Sequence, residues 1–236
     1  MNRINVLSEA LANRIAAGEV VDRPASVVKE LVENAIDAEA TRVEVELAEG
    51  GRKLIRVSDD GLGMSPEDAA LCVQRFATSK VSEEADLQHI ETMGFRGEAL
   101  PSIASVSHLR ITTRLRESDE GTMLTIEGGE IAEVRAVGCP TGTTIEVANL
   151  FFNTPARLKF LRTSGTERGH CSDWVTRMAL ARPDIAMQMT HEGTVLISSP
   201  GRGDLAATVA QVLGSTVARQ MLPVVLDTGA MRIHGL

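Results

Sequence analysis

At 236 residues, 43% hydrophobic and 24% charged, the chain is long enough to bury a full core and has the make-up of an ordinary globular protein. A net charge of −8 argues against a whole-surface nucleic-acid binder, and the scarcity of aromatics, with no Tyr, argues against base stacking as its main business. Cys72, Cys139 and Cys171 have no C-x-x-C spacing and read as free thiols in a reducing compartment. The five His show no metal-ligand spacing. The N-terminus lacks a secretory apolar core and no apolar run approaches roughly 18 residues, so a cytoplasmic protein without membrane contact is expected.

In chain order, residues 1–7 read as extended. Ser8 is placed to cap a helix through about Ala17, and Ala16-Ala17-Gly18 reads as a turn. Pro24 to Ala38 is a helix with two faces: Val28, Leu31, Val32, Ala35 and Ile36 on one, Glu30, Asn34 and Asp37 stacked on the other. The polar face could offer a carboxylate to take a proton from water and, one turn on, an amide oxygen to hold a metal. A solvated face is the commoner meaning of such a stripe. Thr41–Ala48 alternates as a half-buried strand, Glu49–Arg52 is a hairpin turn, and Leu54–Val57 continues in a second strand that ends at Asp59-Asp60-Gly61-Leu62-Gly63-Met64.

Ser65-Pro66-Glu67-Asp68 is helix-start chemistry, with the helix expected to run to Phe76. Ala77 to Met93 is long for a loop in a compact domain, as lids often are. Gly94 to Ile103 then leads into a helix, and strands follow at about 106–115, 122–127, 130–137 and 143–148. Phe151–Pro155 turns into a short basic helix to Arg162, Thr166–Arg182 is a longer helix, and strands at 185–190 and 194–199 come next. Gly201-Arg202-Gly203-Asp204-Leu205-Ala206 matches a dinucleotide fingerprint, but its place late in the chain favours a plain strand–turn–helix. From Asp204 the pattern restarts and the chain stops in a strand-like stretch, which suggests a second domain interrupted at 236.

No G-x-x-x-x-G-K-[ST] loop is present. Other phosphate and base chemistry is. Asp59 at a strand end can accept from an exocyclic amine, and Gly61 and Gly63 let a flat ring approach the backbone. Gly94 to Leu100 puts a glycine-flanked Arg96 before a helix N-terminus, an anion site in type. Thr78-Ser79-Lys80 adds two hydroxyls and an ammonium.

Taken together and in order, Glu-x-x-x-Asn-Ala-x-Asp at 30–37, Asp-x-Gly-x-Gly at 59–63, Gly-Phe-Arg-Gly-Glu-Ala-Leu at 94–100 and Gly-Thr-Thr-x-Glu-Val at 142–147 resemble the ATP-binding fold shared by gyrase B, Hsp90, histidine kinases and MutL. The strings Ile15–Val21, Arg23–Leu31, Ala77-Thr78-Ser79-Lys80 and Phe152–Arg157 are similar to the MutL family of DNA mismatch repair.

The resemblance implies an α+β fold: a mixed, mainly antiparallel sheet with helices on one face forming the ATP site. That domain would span 1–203 with a lid at about 75–96, and 204–236 would begin a second, transducer-like α/β domain. It implies ATP and Mg²⁺ as ligands. Glu30 would be the general base, Asn34 the Mg²⁺ ligand and Asp59 the adenine-reading carboxylate, with Gly61 and Gly63 making room for the base. Thr78, Ser79 and Lys80 would act from the lid. Gly94, Arg96, Gly97, Glu98, Ala99 and Leu100 would wrap the triphosphate, and Thr144 would sit near Asp59. It further implies slow hydrolysis, an ATP-dependent dimer involving residues 1–23 and the lid, and mismatch-recognition and downstream repair proteins as partners. DNA would be met weakly through Arg157, Lys159, Arg162, Arg168, Arg177 and Arg182. A family lysine reaching the γ-phosphate belongs to the second domain, so this chain alone is expected to hydrolyse ATP poorly or to act as a nucleotide-responsive scaffold. Glu39 stands where the family usually has Gly, and Asp60 where Asn is commoner.

Overall fold

The computed structural model describes residues 6–81, 83, 86, 92–94, 96–229 and 231–236. Parts of two expected segments, residues 1–5 of the N-terminal arm and 82, 84, 85, 87–91 and 95 of the lid, lie outside the described residues. Among the latter is Phe95 of the Gly-Phe-Arg-Gly string.

Eight helices and ten strands are defined among the described residues. They are α1 (Glu9–Val20), α2 (Pro24–Asp37), β1 (Arg42–Ala48), β2 (Leu54–Asp59), α3 (Pro66–Leu71), α4 (Ala99–Ser105), β3 (His108–Arg114), β4 (Gly121–Glu127) and β5 (Glu130–Val137), followed by β6 (Gly142–Ala148), α5 (Pro155–Phe160), α6 (Ser164–Ala181), β7 (Ala186–His191), β8 (Thr194–Ser198), α7 (Leu205–Val212), α8 (Ser215–Ala218), β9 (Val224–Asp227) and β10 (Arg232–Gly235). Eight strands form one sheet in the order β5-β4-β3-β6-β2-β1-β7-β8, antiparallel throughout except where β1 runs parallel to β7. The expected fold class is the one observed.

Strand alternation decides which face is covered. Val45 and Leu47 of β1 pair with Val57 and Ile55 of β2, which pair in turn with Ile145 and Val147 of β6. These side chains, with Leu109, Ile111, Leu124, Ile126, Met187 and Met189, are buried beneath the helices. The other face carries Glu44, Glu46, Arg56, Arg110 and Glu146, where Arg56 ion-pairs with both Glu46 and Glu146.

α2 lies on β1 and β2 and against α6, and α1 packs on α4. All five apolar residues expected to face inward on α2 are buried, joined by Pro24 and Val27. Burying a Val, Leu or Ile is worth about 1.5–3 kcal/mol each, which fixes the helix and the rotation of its polar face.

Several element ends differ from expectation. α1 does not turn at Gly18 but continues to Val20. Gly18 serves close approach instead: a Cβ there would lie 1.9 Å from Arg157 Nη2, whose guanidinium donates to Ile15 O at 3.3 Å. α3 ends at Leu71, short of Phe76, which has φ 63° and cannot continue a right-handed helix. α6 begins at Ser164 because Thr163 Oγ1 accepts from Thr166 N and caps it earlier. The Gly201–Ala206 string is a turn and cap: Asp204 accepts from Ala207 N, and the strands that follow among the described residues, β9 and β10, form a ribbon apart from the main sheet. α7 packs back on α6 and β8 through buried Thr208 and Val209.

Candidate nucleotide site

The polar face of α2 supplies the first wall. Glu30, Glu33, Asn34 and Asp37 are carried within two turns of it. Lys29 Nζ holds Glu30 Oε1 at 3.0 Å and Glu33 Oε2 at 3.2 Å. Burial alone would lower the Lys29 ammonium, but its two carboxylate partners outweigh this and raise it. Burial is also the main reason the Glu33 carboxyl is raised.

One turn on, Asn34 Oδ1 accepts from Lys80 Nζ at 3.1 Å, and the same ammonium ion-pairs with Asp37 Oδ2. Asp37 also accepts from the backbone of Met93 (2.9 Å) and Gly94 (3.1 Å). Gly94 lies so close that a Cβ there would be 3.4 Å from Lys80 Nζ and 3.9 Å from Asn34 Oδ1. Thr78 Oγ1 accepts from Lys80 N at 3.2 Å and shapes the bend through Ser79. Thus Asn34, Thr78, Ser79, Lys80 and Gly94 are gathered at one place. Asp37, part of the polar stripe but given no separate role by the sequence, ties them together.

The second wall is the end of β2. Asp59 pairs with Thr143 across β6 and its carboxylate accepts from Gly61 N at 2.9 Å. Burial pushes the Asp59 carboxyl up to about 6, against the lowering effect of the Gly61 and Thr143 backbone N–H groups. Gly61 abuts the end of α2, where a Cβ would meet Ala38 O at 2.5 Å, and Leu62 N donates to that carbonyl. Gly63, at φ 73°, passes Arg114 O where a Cβ would meet it at 2.1 Å.

Thr144 is not brought to Asp59. It pairs with Ser58, and its hydroxyl donates to Ser58 Oγ at 3.0 Å on the uncovered face of the sheet. Strand alternation puts Thr143 on the Asp59 face instead, with its hydroxyl 3.0 Å from Thr113 Oγ1. Thr113 also accepts from Met64 N at 2.9 Å, so Thr113 and Thr143 floor the Asp-x-Gly-x-Gly loop. Sequence alternation alone carried this signal, since Thr143 has the parity of buried Ile145 and Val147.

The third wall is the approach to α4. Gly97, at φ 63°, lets the chain pass Ala77, where a Cβ would lie 2.5 Å from its carbonyl oxygen. Glu98 precedes the helix without capping it by its side chain, and ion-pairs with Arg75 at 2.8 Å, which also donates to Asn13 of α1. Ala99 and Leu100 form the first turn of α4, and Arg96 is exposed beside them.

The two departures from the family pattern have clear roles. Asp60 accepts from Thr41 N, Thr41 Oγ1 and Arg42 N and fixes the start of β1, and its charge helps to raise the Asp59 carboxyl beside it. Glu39 takes φ 60° after α2, with Glu39 N donating to Ile36 O and Ala40 N to Ala35 O, the bonds of a Schellman stop made without glycine.

Asn34 supplies a neutral hard oxygen that already faces a cation, the Lys80 ammonium, beside a glycine backbone that leaves room. One such oxygen, completed by phosphates and water, is the usual protein share of a magnesium site, so the residues present fit that ion. No group of three or more His, Cys, Asp or Glu side chains is gathered for a metal among the described residues.

Comparison with known proteins gives a consistent picture. Residues 22–153 match the family model for histidine kinase-, DNA gyrase B- and HSP90-like ATPases. The DNA mismatch repair protein MutL of Symbiobacterium thermophilum is 53% identical over 235 residues, covering 100% of this chain and 37% of the relative. That of Geobacter sulfurreducens is 54% identical over 235 residues, covering 100% and 39%. The chain therefore spans little more than a third of the curated relatives it matches. The structure of the Aquifex aeolicus MutL ATPase domain complexed with ADP superimposes with a TM-score of 0.70 and 35% identity, over 88% of this chain and 72% of that one. With its motif segments gathered on α2 and these likenesses along its length, the chain belongs to the histidine kinase-, gyrase B- and HSP90-like ATPases and, within them, to the MutL family of DNA mismatch repair proteins.

Proposed function

We infer that this chain is the ATP-binding and ATP-hydrolysing part of a mismatch repair protein, acting as a nucleotide-driven dimerisation switch. The observation that carries the reading is the meeting of Asn34, Lys80 and Gly94, from three separate motifs, one turn beyond Glu30. Adenine would be read by the Asp59 carboxylate over Gly61, with Thr143 rather than Thr144 beneath it. Asn34 would hold Mg²⁺, which when bound supplies charge neutralisation to the phosphates. Lys80, Thr78, Ser79 and the backbone from Gly94 to Leu100 would contact the phosphates. Glu30, steadied by Lys29, would orient the attacking water and accept its proton.

Dimerisation is supported by α1. Leu11 and Ile15, one turn apart on the helix, are 39% and 56% exposed, and Leu7 just before the Ser8 cap is 49% exposed, apolar surface suited to a second copy of the chain. DNA would be met weakly through exposed Lys159, Arg162, Arg168 and Arg177. Arg157 and Arg182 drop out of that surface, since the first turns in toward Ile15 and the second pairs with Asp184. Turnover by this chain alone would be low, and partners would be mismatch-recognition and downstream repair proteins. The setting would be the cytoplasm, near the nucleoid in a bacterium. No helix among the described residues is long and apolar enough to cross a membrane. The second, transducer-like domain would begin at about 204, with α7 at its start packed on α6 and β8.

The test is sedimentation velocity of the chain and its Glu30→Ala variant, with and without a non-hydrolysable ATP analogue and Mg²⁺, alongside single-turnover hydrolysis. Both proteins should dimerise only with nucleotide, while the variant loses about 10²–10⁴-fold in hydrolysis. Dimers without nucleotide, or unchanged hydrolysis in the variant, would sink the reading.

A further inference from the structure

Asp37 is an unusual place for a carboxylate. It is the last residue of α2, where the helix dipole disfavours negative charge, and its side chain is only 6% exposed. Such a group must be compensated, and three donors do so: Lys80 Nζ, Met93 N and Gly94 N. They come from the two ends of the 80–94 segment. One carboxylate therefore fastens both ends of that segment to α2, and its cationic partner lands on the Asn34 amide oxygen.

We propose that Asp37 is a positioning residue that parks the Lys80 ammonium on Asn34 Oδ1 in the nucleotide-free protein, so that a divalent cation must displace Lys80 to enter. This rests on the reading of the site as a Mg²⁺-nucleotide site, and deepens it. An ammonium and a magnesium ion compete for the same lone pairs, and Asn34 cannot serve both. Displacement removes the charge partner from buried Asp37 and weakens the hold on Met93 and Gly94. Arrival of metal is thereby coupled to the hold of Asp37 on Lys80, Met93 and Gly94, without any contact between nucleotide and Asp37. The parked state acts as a tax on binding: the apparent affinity is reduced by the fraction of molecules with Lys80 in place.

The experiment is trace acylation of amines in the intact chain, read by mass spectrometry, with exposed Lys53 and Lys159 as internal references. In the ligand-free protein Lys80 should label more slowly than either reference. Millimolar Mg²⁺ alone should speed its labelling in the unmodified chain, a readout that needs no variant to fold. Asp37→Asn should raise Lys80 labelling roughly fivefold and tighten binding of the Mg²⁺–ATP analogue by a similar factor, as expected when a competing state is removed. Asp37→Glu should restore part of the protection. If Mg²⁺ leaves Lys80 labelling unchanged, or if Asp37→Asn weakens nucleotide binding at unchanged melting temperature, Asp37 instead prearranges the bound state and the parking idea fails. Absence of nucleotide binding by the unmodified chain would remove the underlying nucleotide reading and the competition with it. The labelling comparison would then still report whether Asp37 holds Lys80.

Discussion

Asp59 sets a pH dependence that can be worked out in sign. Its carboxyl is raised from 3.8 to about 6 by burial, so the folded protein holds a proton that the unfolded chain has released. Between about pH 4 and pH 6 the native state binds more protons, and stability must fall as pH rises through that window, then level off. Asp59→Asn, which cannot ionise, should therefore be more stable than the parent at pH 7.5 by about 1–2 kcal/mol in chemical denaturation, with the gain vanishing near pH 4. Binding runs the other way: an amine donating to Asp59 favours the ionised form, so adenine-nucleotide affinity should drop below pH 6 and the Asn variant should lose both the affinity and the pH dependence. A flat affinity profile from pH 5 to 8 in calorimetric titration would exclude Asp59 as the base-reading group. Glu39 offers a second residue-scale test. Its φ of 60° costs a side chain what glycine avoids, so Glu39→Gly should stabilise the protein by roughly 0.5–1 kcal/mol without touching the site. Glycine's greater freedom in the unfolded chain sets the lower end of that range.

At the scale of elements, the seam between α1 and α5 pits two known effects against each other. Gly18→Ala in a helix interior should gain about 1 kcal/mol from propensity. The new Cβ would also displace the Arg157 guanidinium, whose Nη2 bonds Ile15 O and whose Nη1 is buried without a partner. Losing a charged hydrogen bond costs about 1.5–3 kcal/mol, so the single variant should be destabilised by about 1 kcal/mol. In an Arg157→Ala background the same substitution should become stabilising, and this reversal in thermal melting is the signature of the contact. The seam also marks where sequence reading stops. α2, both hairpin strands of β1 and β2, and the face each apolar residue takes were legible because periodicity reports burial directly. Gly18 was not, because a glycine kept for a neighbour 139 residues away looks the same as one kept for a turn. Thr143 was legible only through strand parity, which two adjacent threonines do not display until the register with Asp59 is known. Asp37 stood in plain view on the polar stripe, but its partners lie 43 to 57 residues on, and only the fold brings them back.

At the scale of the molecule, the proposed dimer requires a link between a filled site and the surface on which two copies would meet. Arg75 supplies a physical link. It donates to Asn13 of α1 at 3.2 Å and to Glu98 at the start of α4 at 2.8 Å, so the helix bearing the exposed stripe and the segment expected to wrap phosphates share one side chain. The stripe and the site are otherwise separate surfaces: Leu11 and Ile15 point to solvent, while the site lies on the polar face of α2. Replacing both Leu11 and Ile15 by Glu removes apolar area and adds like charges that would face each other across a twofold axis. The expected outcome is specific: analogue affinity within about twofold of the parent, because no site group is altered, but no dimer in sedimentation at concentrations where the parent associates. Arg75→Ala should give the intermediate result, a dimer that needs higher protein concentration at unchanged nucleotide occupancy, because only the link is cut. If the Glu pair binds nucleotide and still dimerises, α1 is not the meeting surface. If it loses nucleotide binding as well, α1 is part of the site, and assembly and ligand capture are one event rather than two coupled ones.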